Sequence, residues 1–481
     1  MKRKIFKDLD LTYQNLIIIV LAISFAVLGS TGLILSTQVD PDELEHLHAT
    51  WLWNKGINPY TDFFEHHTQL YWLPLMPVIN IVEASNSIHL AVVAGRLVSL
   101  IILLLLLAAS YFLFAEIFNR ITAIYSTLLW AIFCAYYPRA IHIRPDMLMM
   151  LFLVLGTYFL LHGVGYPVGR FKKNIFIFLG GVGLALSILV LLKAVLWVLP
   201  IIIWLILYYW KQRSHQSYKA QLISLSIFIS GMVIVFGLQL VWLISVNDIS
   251  KFLFANITTN MQLGSVYGDP REIMAVIKRT ISWVNAPIIL VLLGFASFIT
   301  QKKVKNNFSK ILILLLLGGS ILLTLLGNDP EYHYHFPLVW LLSGLSGFRI
   351  QIMAKKLSFN TRLLFDTSIL ALTLILCIFS FGPIFFNEGL KNSTEPLQYI
   401  LDNSENEDSY LSASNSTPIF LKESNPEFFM AHINPRRSVS NGLQSTTPKF
   451  VVATKEEAKR HMSNDLLKSY KRVNKQVLVL E

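Results

Sequence analysis

Apolar residues in this chain gather in long runs separated by short polar segments. Eleven such runs are drawn, at roughly 15–37, 88–114, 121–138, 146–163, 174–192, 194–210, 222–246, 281–300, 311–327, 336–350 and 364–386. Crossing the hydrocarbon core of a bilayer takes about 20 apolar residues in a helix. The pattern therefore predicts a mainly α, polytopic membrane protein with about 11 transmembrane helices. The fifth and sixth runs are nearly continuous, with Lys193 at the join. The run after "MKRKIFKDLD" is longer than the about 7–15 residues of a signal-peptide core and is read as a retained first span.

The polar segments set the orientation. With the N-terminus in the cytoplasm, the inner segments carry 19 Lys and Arg and the outer loops between spans 8. Basic residues favour the cytoplasmic side, so the N-terminus is expected inside. Residues 1–386 then form the transmembrane domain, with a first outer loop at 38–87 and a second at 247–280. Residues 387–481 are richer in Ser, Asn, Glu and Lys and carry the strand-like runs "KFVVAT" and "QVLVLE" around the amphipathic run "KEEAKRHMSNDLLKSY". They are expected to form a small soluble α/β domain outside. In the first loop, Leu44, Leu47, Trp51 and Leu52 share one helical face, as suits a helix lying in the membrane interface.

Composition agrees. Of 481 residues 54% are hydrophobic and 14% charged, against about 25% charged in soluble domains. The net charge of +11 follows from the basic inner loops and does not call for nucleic acid. Cys134 and Cys377 both lie inside apolar runs, which argues against a structural disulfide.

Against this apolar background the polar residues are concentrated. The first loop holds Asp40, Asp42, Glu43, Glu45, Asp62 and Glu65, with His46, His48, His66 and His67. Arg144 and Asp146 begin span 4, Lys193 marks the turn between spans 5 and 6, and Asp329, Glu331, Tyr332, His333, Tyr334 and His335 precede span 10. On this topology all lie at the outer ends of spans. Ionisable groups at membrane depth are costly and mark functional sites. Carboxylates can act as a general base or hold a metal. Lys and Arg bind phosphate. A site with both, at headgroup level, fits a lipid-phosphate substrate.

The stretch "PDELEHLHATWLWNKGINPYTDFFEHHTQLYWL" resembles the first outer loop of the protein-mannosyltransferase-like GT-C glycosyltransferases. "IRPDMLMMLFLVLG", "LLKAVLWVLP" and "PEYHYHFPLVWLL" are similar to the family's span 4 start, lysine turn and late Tyr-x-x-Pro-Leu segment. The resemblance covers most of residues 10–350. It implies a GT-C fold and a glycosyltransferase that moves a hexosyl or pentosyl group from a polyprenyl-phosphate-sugar donor to an extracytoplasmic lipid, glycan or protein, with inversion. It implies Asp42 as the catalytic base with Glu43 beside it. Glu65, His66 and Asp146 fall on the acceptor or metal side, with a divalent metal at Glu65 and His66. Lys193, Arg144 and Tyr334 contact the donor phosphate. The chain departs from relatives that have Lys-Pro where it has His66-His67. The implied setting is a bacterial plasma membrane, with membrane lipids as partners.

Plainer readings stand beside these. Asp42 could cap the loop helix. His46 and His48 could be surface residues, and His66 and His67 could sit at headgroup level. Arg144 could pair with Asp146, Lys193 could snorkel, and Arg96 could pair within the bundle. A transporter would place its ionisable residues near the bilayer midplane, whereas these cluster outside. A non-catalytic polyprenyl-lipid-binding protein is a third reading.

Overall fold

The computed structural model describes residues 13–63, 65–165, 170–212, 218–246, 248–259, 307–326, 336–386, 389–404, 410–412, 450–452, 470–472 and 477–480. Ten of the eleven apolar runs coincide with described helices; the eighth, 281–300, lies outside the described residues. Six described helices are long and apolar enough to cross a membrane alone. The chain is an integral, multi-pass membrane protein.

Helix α1 (Tyr13–Ser36) is followed, after a bend of 80°, by α2 (Pro41–Asn54). The break is local chemistry. Asp40 is the N-cap of α2, in extended backbone, and its carboxylate accepts from the Asp42 amide (3.1 Å). Glu43 returns the bond by accepting from the Asp40 amide (2.9 Å), which closes a capping box. Pro41 at the first helical position has no amide to satisfy. The short α3 (Met76–Glu83) precedes α4 (Ile88–Ile117) and α5 (Arg120–Tyr136). Then come α6 (Pro145–Gly165), α7 (Arg170–Val190), α8 (Val195–Gln212) and α9 (Tyr218–Ser245). The five-residue α10 (Ile249–Leu253) follows α9. Helices α11 (Asn307–Leu326), α12 (Phe336–Ala354) and α13 (Phe359–Phe386) complete the bundle. Small residues let helices touch: a Cβ on Gly156 of α6 would stand 2.8 Å from the Leu184 amide of α7, too close for any side chain.

After the bundle, α14 (Gly389–Asn403) leads to four short strands, β1 (Tyr410–Ser412), β2 (Phe450–Val452), β3 (Tyr470–Arg472) and β4 (Val477–Leu480). The sheet order is β1-β2-β4-β3, with β1 and β2 parallel and the other pairs antiparallel. The two strand-like runs thus become β2 and β4. The amphipathic run lies outside the described residues except for Tyr470, which opens β3.

Helix α2 is buried on more than one face. Leu44 and Leu47 are buried as expected, but so are Glu43, Glu45, His46 and His48, where surface histidines were the plainer reading. What brings acids inside is Arg96 of α4, also fully buried. Its guanidinium donates five hydrogen bonds: Nε and Nη2 to Glu43 (2.8 and 2.7 Å), Nη1 to the carbonyls of Ile34 (2.8 Å) and Thr37 (3.1 Å), and Nη2 to Gln38 (2.9 Å). Glu43 also accepts from the Ile143 amide (3.1 Å). Burial pushes the Glu43 carboxyl up, but the Arg96 charge and its hydrogen bonds outweigh it and hold the pKa at about 2.

Removing one partner of a buried pair leaves an uncompensated charge. Arg96→Met is expected to cost about 3–5 kcal/mol, and Arg96→Met combined with Glu43→Met less than the single change, as read by unfolding of purified protein in detergent. Glu43 is depressed in the folded state relative to its ordinary value of 4.5. Its contribution is therefore fully present above about pH 4.5 and is lost as pH falls toward about 2. Glu43→Gln should flatten that part of the stability profile.

Candidate functional site

The capping box fixes where the first acids point. Asp42 and Glu45, three residues apart, lie on one face of α2, while Glu43 turns toward Arg96. The cap is Asp40, not Asp42, so the capping role considered for Asp42 belongs to its neighbour. Asp40 also faces Arg139 (3.3 Å) and Arg144 (3.4 Å), both from the turn between α5 and α6. Burial and the charge of Asp42 raise its pKa, against the pull of the two arginines. His142, from the same turn, stands 3.9 Å from Asp40, but burial lowers its pKa to about 4 and leaves it neutral at pH 7.

Arg144 is the hub. Its Nη1 meets Asp42 Oδ2 at 2.5 Å and Asp40 Oδ1 at 3.4 Å, and its Nε lies 3.6 Å from Asp146 Oδ2. Asp146, in the first turn of α6, also holds the Lys193 ammonium at 3.0 Å. Lys193 reaches it because the chain breaks between α7 and α8: Leu191 is extended and Leu192–Ala194 form a single 3-10 turn. The Thr68 hydroxyl donates to the carbonyls of Leu189 and Val190 at that break and ties it to the first loop. Asp42, Asp146, Arg144 and Lys193 thus meet, although they come from three separate segments. Asp42 is the most open of these carboxylates, with 28% of its side chain exposed against 11% for Asp40, 3% for Asp146 and none for Glu43.

A second cluster adjoins the first. Among the described residues Glu45, Glu65, His66 and His67 bring one ligand atom each to within 4.8 Å of one another. His67 Nδ1 lies 2.9 Å from Glu65 Oε1 and 3.3 Å from Glu45 Oε1; His66 Nδ1 lies 3.6 and 3.7 Å from the same atoms. The His67 ring packs edge-on against His46, whose Nδ1 accepts from Trp72 (3.4 Å). Tyr60 holds the turn by donating to the His67 carbonyl (2.9 Å). Burial raises the Glu45 pKa well above its ordinary value, and Glu65 raises it further. Burial also pushes Glu65 up, but the His67 hydrogen bond and the neighbouring histidines bring it down to about 2. Glu45 and Glu65 are both buried, so the two carboxyls face each other and the two imidazoles away from solvent. Two carboxylates and two imidazoles this close match the donor set of Zn²⁺ or a similar divalent ion.

Sequence reasoning did not assign Asp40 as cap, Arg139, Glu45 or His67 to the site, although it placed Glu45 and His67 in the acid- and histidine-rich loop. The spacing from Asp42 to Glu45 is a helical signal for the third; the others depend on loop paths. Tyr334 lies outside the described residues.

Residues 81–236 match the model of the dolichyl-phosphate-mannose-protein mannosyltransferase family. The crystal structure of ArnT from Cupriavidus metallidurans bound to undecaprenyl phosphate is similar over 96% of this chain and 97% of its own, with a TM-score of 0.63 at 13% identity. The chain has the GT-C fold. The GT-C likeness extends to the archaeal oligosaccharyltransferase AglB of Archaeoglobus fulgidus in complex with an inhibitory peptide and a dolichol-phosphate, over 92% of this chain and 69% of AglB (TM-score 0.55, 12% identity). It also extends to an A. fulgidus oligosaccharyltransferase complex with Zn and sulfate, over 93% of this chain and 71% of that one (TM-score 0.53, 12% identity). No curated protein matches the chain by sequence. The resemblance is upheld by the family match, which takes in the span 4 start and the lysine turn but begins after the first-loop stretch, and by the GT-C architecture.

The cap separates the two aspartates experimentally. Asp40→Ala should cost about 0.5–2 kcal/mol through loss of the helix cap, whereas Asp40→Asn can still accept from the Asp42 amide and should cost less. Thermal unfolding of the two variants in one detergent reads the difference. Equal losses would mean that the charge facing Arg139 and Arg144 matters and the cap does not.

Proposed function

We propose that this protein is a glycosyltransferase that moves a sugar from a polyprenyl-phosphate donor to an acceptor hydroxyl at the outer membrane interface. One observation carries the reading: Asp42 is the accessible carboxylate in a cluster whose other acids are buried against Arg96, Arg144 and Lys193. Asp42 takes the proton of the acceptor hydroxyl as that oxygen bonds to the anomeric carbon. The bond from that carbon to the donor phosphate breaks on the opposite face, and its electron pair leaves with the phosphate oxygen. Arg144 and Lys193 stabilise the charge of the leaving lipid phosphate. That phosphate is already a good leaving group, so one base suffices, unlike the paired carboxylates of glycoside hydrolysis. The family match, the GT-C fold and the polyprenyl and dolichol phosphates bound by ArnT and AglB support this reading. Glu43 is a positioning residue here, since its carboxylate is held by Arg96. The bias of basic residues supports a cytoplasmic N-terminus and an outer segment 387–481, in a plasma membrane of bacterial type.

Glu65 and His66, with Glu45 and His67, would hold a divalent ion on the acceptor side of Asp42. When bound, the ion supplies positive charge that orients an acceptor oxygen. The protein's own part is to bring α2 and the 65–67 turn together. Burial favours the protonated form of Glu45, so ion binding and protonation should compete there.

Asp42→Asn keeps size and folding but cannot take the proton. It should lower transfer about 100- to 10,000-fold while polyprenyl-phosphate binding persists. Asp40→Asn should retain most activity. Normal transfer by Asp42→Asn would remove the base assigned here. Comparing lipid-linked sugars of cells with and without the gene identifies the donor, which should accumulate when the enzyme is absent.

Metal content is measured directly on purified protein. About one divalent ion per chain is expected for a closed four-ligand set, and Glu65→Gln and His67→Ala should each lose it. Retention of the ion by both variants would place it elsewhere.

A further inference from the structure

The first outer loop carries Asp40, Asp42, Glu45 and the 65–67 turn, so its two ends decide where those groups stand. One helix beyond the bundle touches both ends. At the start of the loop, the Val39 amide donates to Ser393 Oγ of α14 (3.3 Å), and the Ser393 hydroxyl donates to the Gly389 carbonyl (2.5 Å). At its end, the Ile88 amide donates to Gln398 Oε1 (3.0 Å), and Gln398 Nε2 donates to the Asn86 carbonyl (2.9 Å). Val39 and Ile88 are 49 positions apart, whereas Ser393 and Gln398 are 5 apart on one helix. Leu390, Leu397 and Ile400 are almost wholly buried and seat α14 in the main core independently of those polar bonds. Gly389 approaches the same stretch: a Cβ there would stand 3.0 Å from the Ser36 carbonyl and 3.2 Å from the Gln38 amide.

We propose that α14 is a staple closing the first outer loop, and that Ser393 is a positioning residue that sets the height of Asp40 and, through the capping box, of Asp42. The link runs from Ser393 to the Val39 amide, along one residue to the cap Asp40, and from its carboxylate to the Asp42 amide. A loop of about 50 residues pays a closure entropy of order (3/2)RT ln n to hold its ends together. Two bonds from one rigid helix bear that cost locally, where the site needs order. The C-terminal segment would then be part of the catalytic apparatus without touching a substrate. The proposal rests on the glycosyltransferase reading only for its kinetic consequence.

The test uses the full-length protein in detergent or nanodiscs and two readouts. Amide hydrogen exchange over 39–54 should quicken about 2- to 10-fold in Ser393→Ala, as for loss of one neutral hydrogen bond, with α4 to α7 unchanged. Ser393→Thr, which keeps the hydroxyl, should restore it. Gly389→Ala, which presses on Ser36 and Gln38, should disturb the same region. With a polyprenyl-phosphate-sugar donor, Ser393→Ala should lower kcat and leave KM for the donor unchanged. Unaltered exchange over 39–54, or an equal rise throughout the bundle, overturns the staple. Faster local exchange in a protein that transfers no sugar in any form upholds the staple and removes the glycosyltransferase reading instead.

Discussion

The buried pair of Glu43 and Arg96 is the constraint on which the candidate site depends. A guanidinium has five N–H donors, and here all five are used: two on Glu43 and three on carbonyls at the end of α1. Glu43 in turn accepts from Arg96, from the Asp40 amide and from the Ile143 amide. One ion pair therefore joins the end of α1, the start of α2, the N-terminal third of α4 and the turn before α6. Ion pairs removed from water stabilise a fold only when nearly every donor and acceptor is matched, and these are. The pair fixes the sharp exit from α1, and that exit gives α2 its direction.

With α2 fixed, charge is sorted by depth. Glu43 is spent on structure and is inaccessible. Asp40 is half structural, since it caps the helix while gathering Arg139 and Arg144. Asp42 meets Arg144 but stays open to the outside. Asp146 faces inward and holds Lys193. Neighbouring acids thus take different roles through solvent access and partner, although the residue type is the same. The turn bearing Lys193 and the turn bearing Glu65 are tied by Thr68, so the cationic and acidic sides of the site are set against each other by the same loop.

Much of this is legible in the sequence, but unevenly. Span positions follow from apolar run length, which the bilayer dictates, so helices such as α4 and α9 fall where the runs do. The gathering of Asp42, Asp146, Arg144 and Lys193 follows from topology alone, because all four lie at the same ends of their spans. The division of labour between Asp40 and Asp42 does not. Both stand at the start of the same helix, both are residue types that cap well, and the extended backbone of Asp40 makes it the cap while Asp42 falls inside the first turn. His46 and His48 read as surface residues because an interfacial helix exposes one face; here His46 packs against His67 and Tyr71, and His48 stacks on Trp51. Glu45 and His67 meet across a loop whose path no periodicity encodes.

The start of α2 at the capping box has an electrical consequence. Peptide dipoles along a helix sum to about half a positive charge at its N-terminus. Asp42 lies in the first turn of α2 and Asp146 in the first turn of α6, so both acids stand at such an end. Part of the positive charge that lets acids crowd together here is thus carried by the backbone. It does not titrate, and no side-chain substitution removes it. Were Arg144 replaced, the acids would still face two helix ends, and the site would lose the cation that joins Asp40, Asp42 and Asp146 while keeping a fixed share of its field.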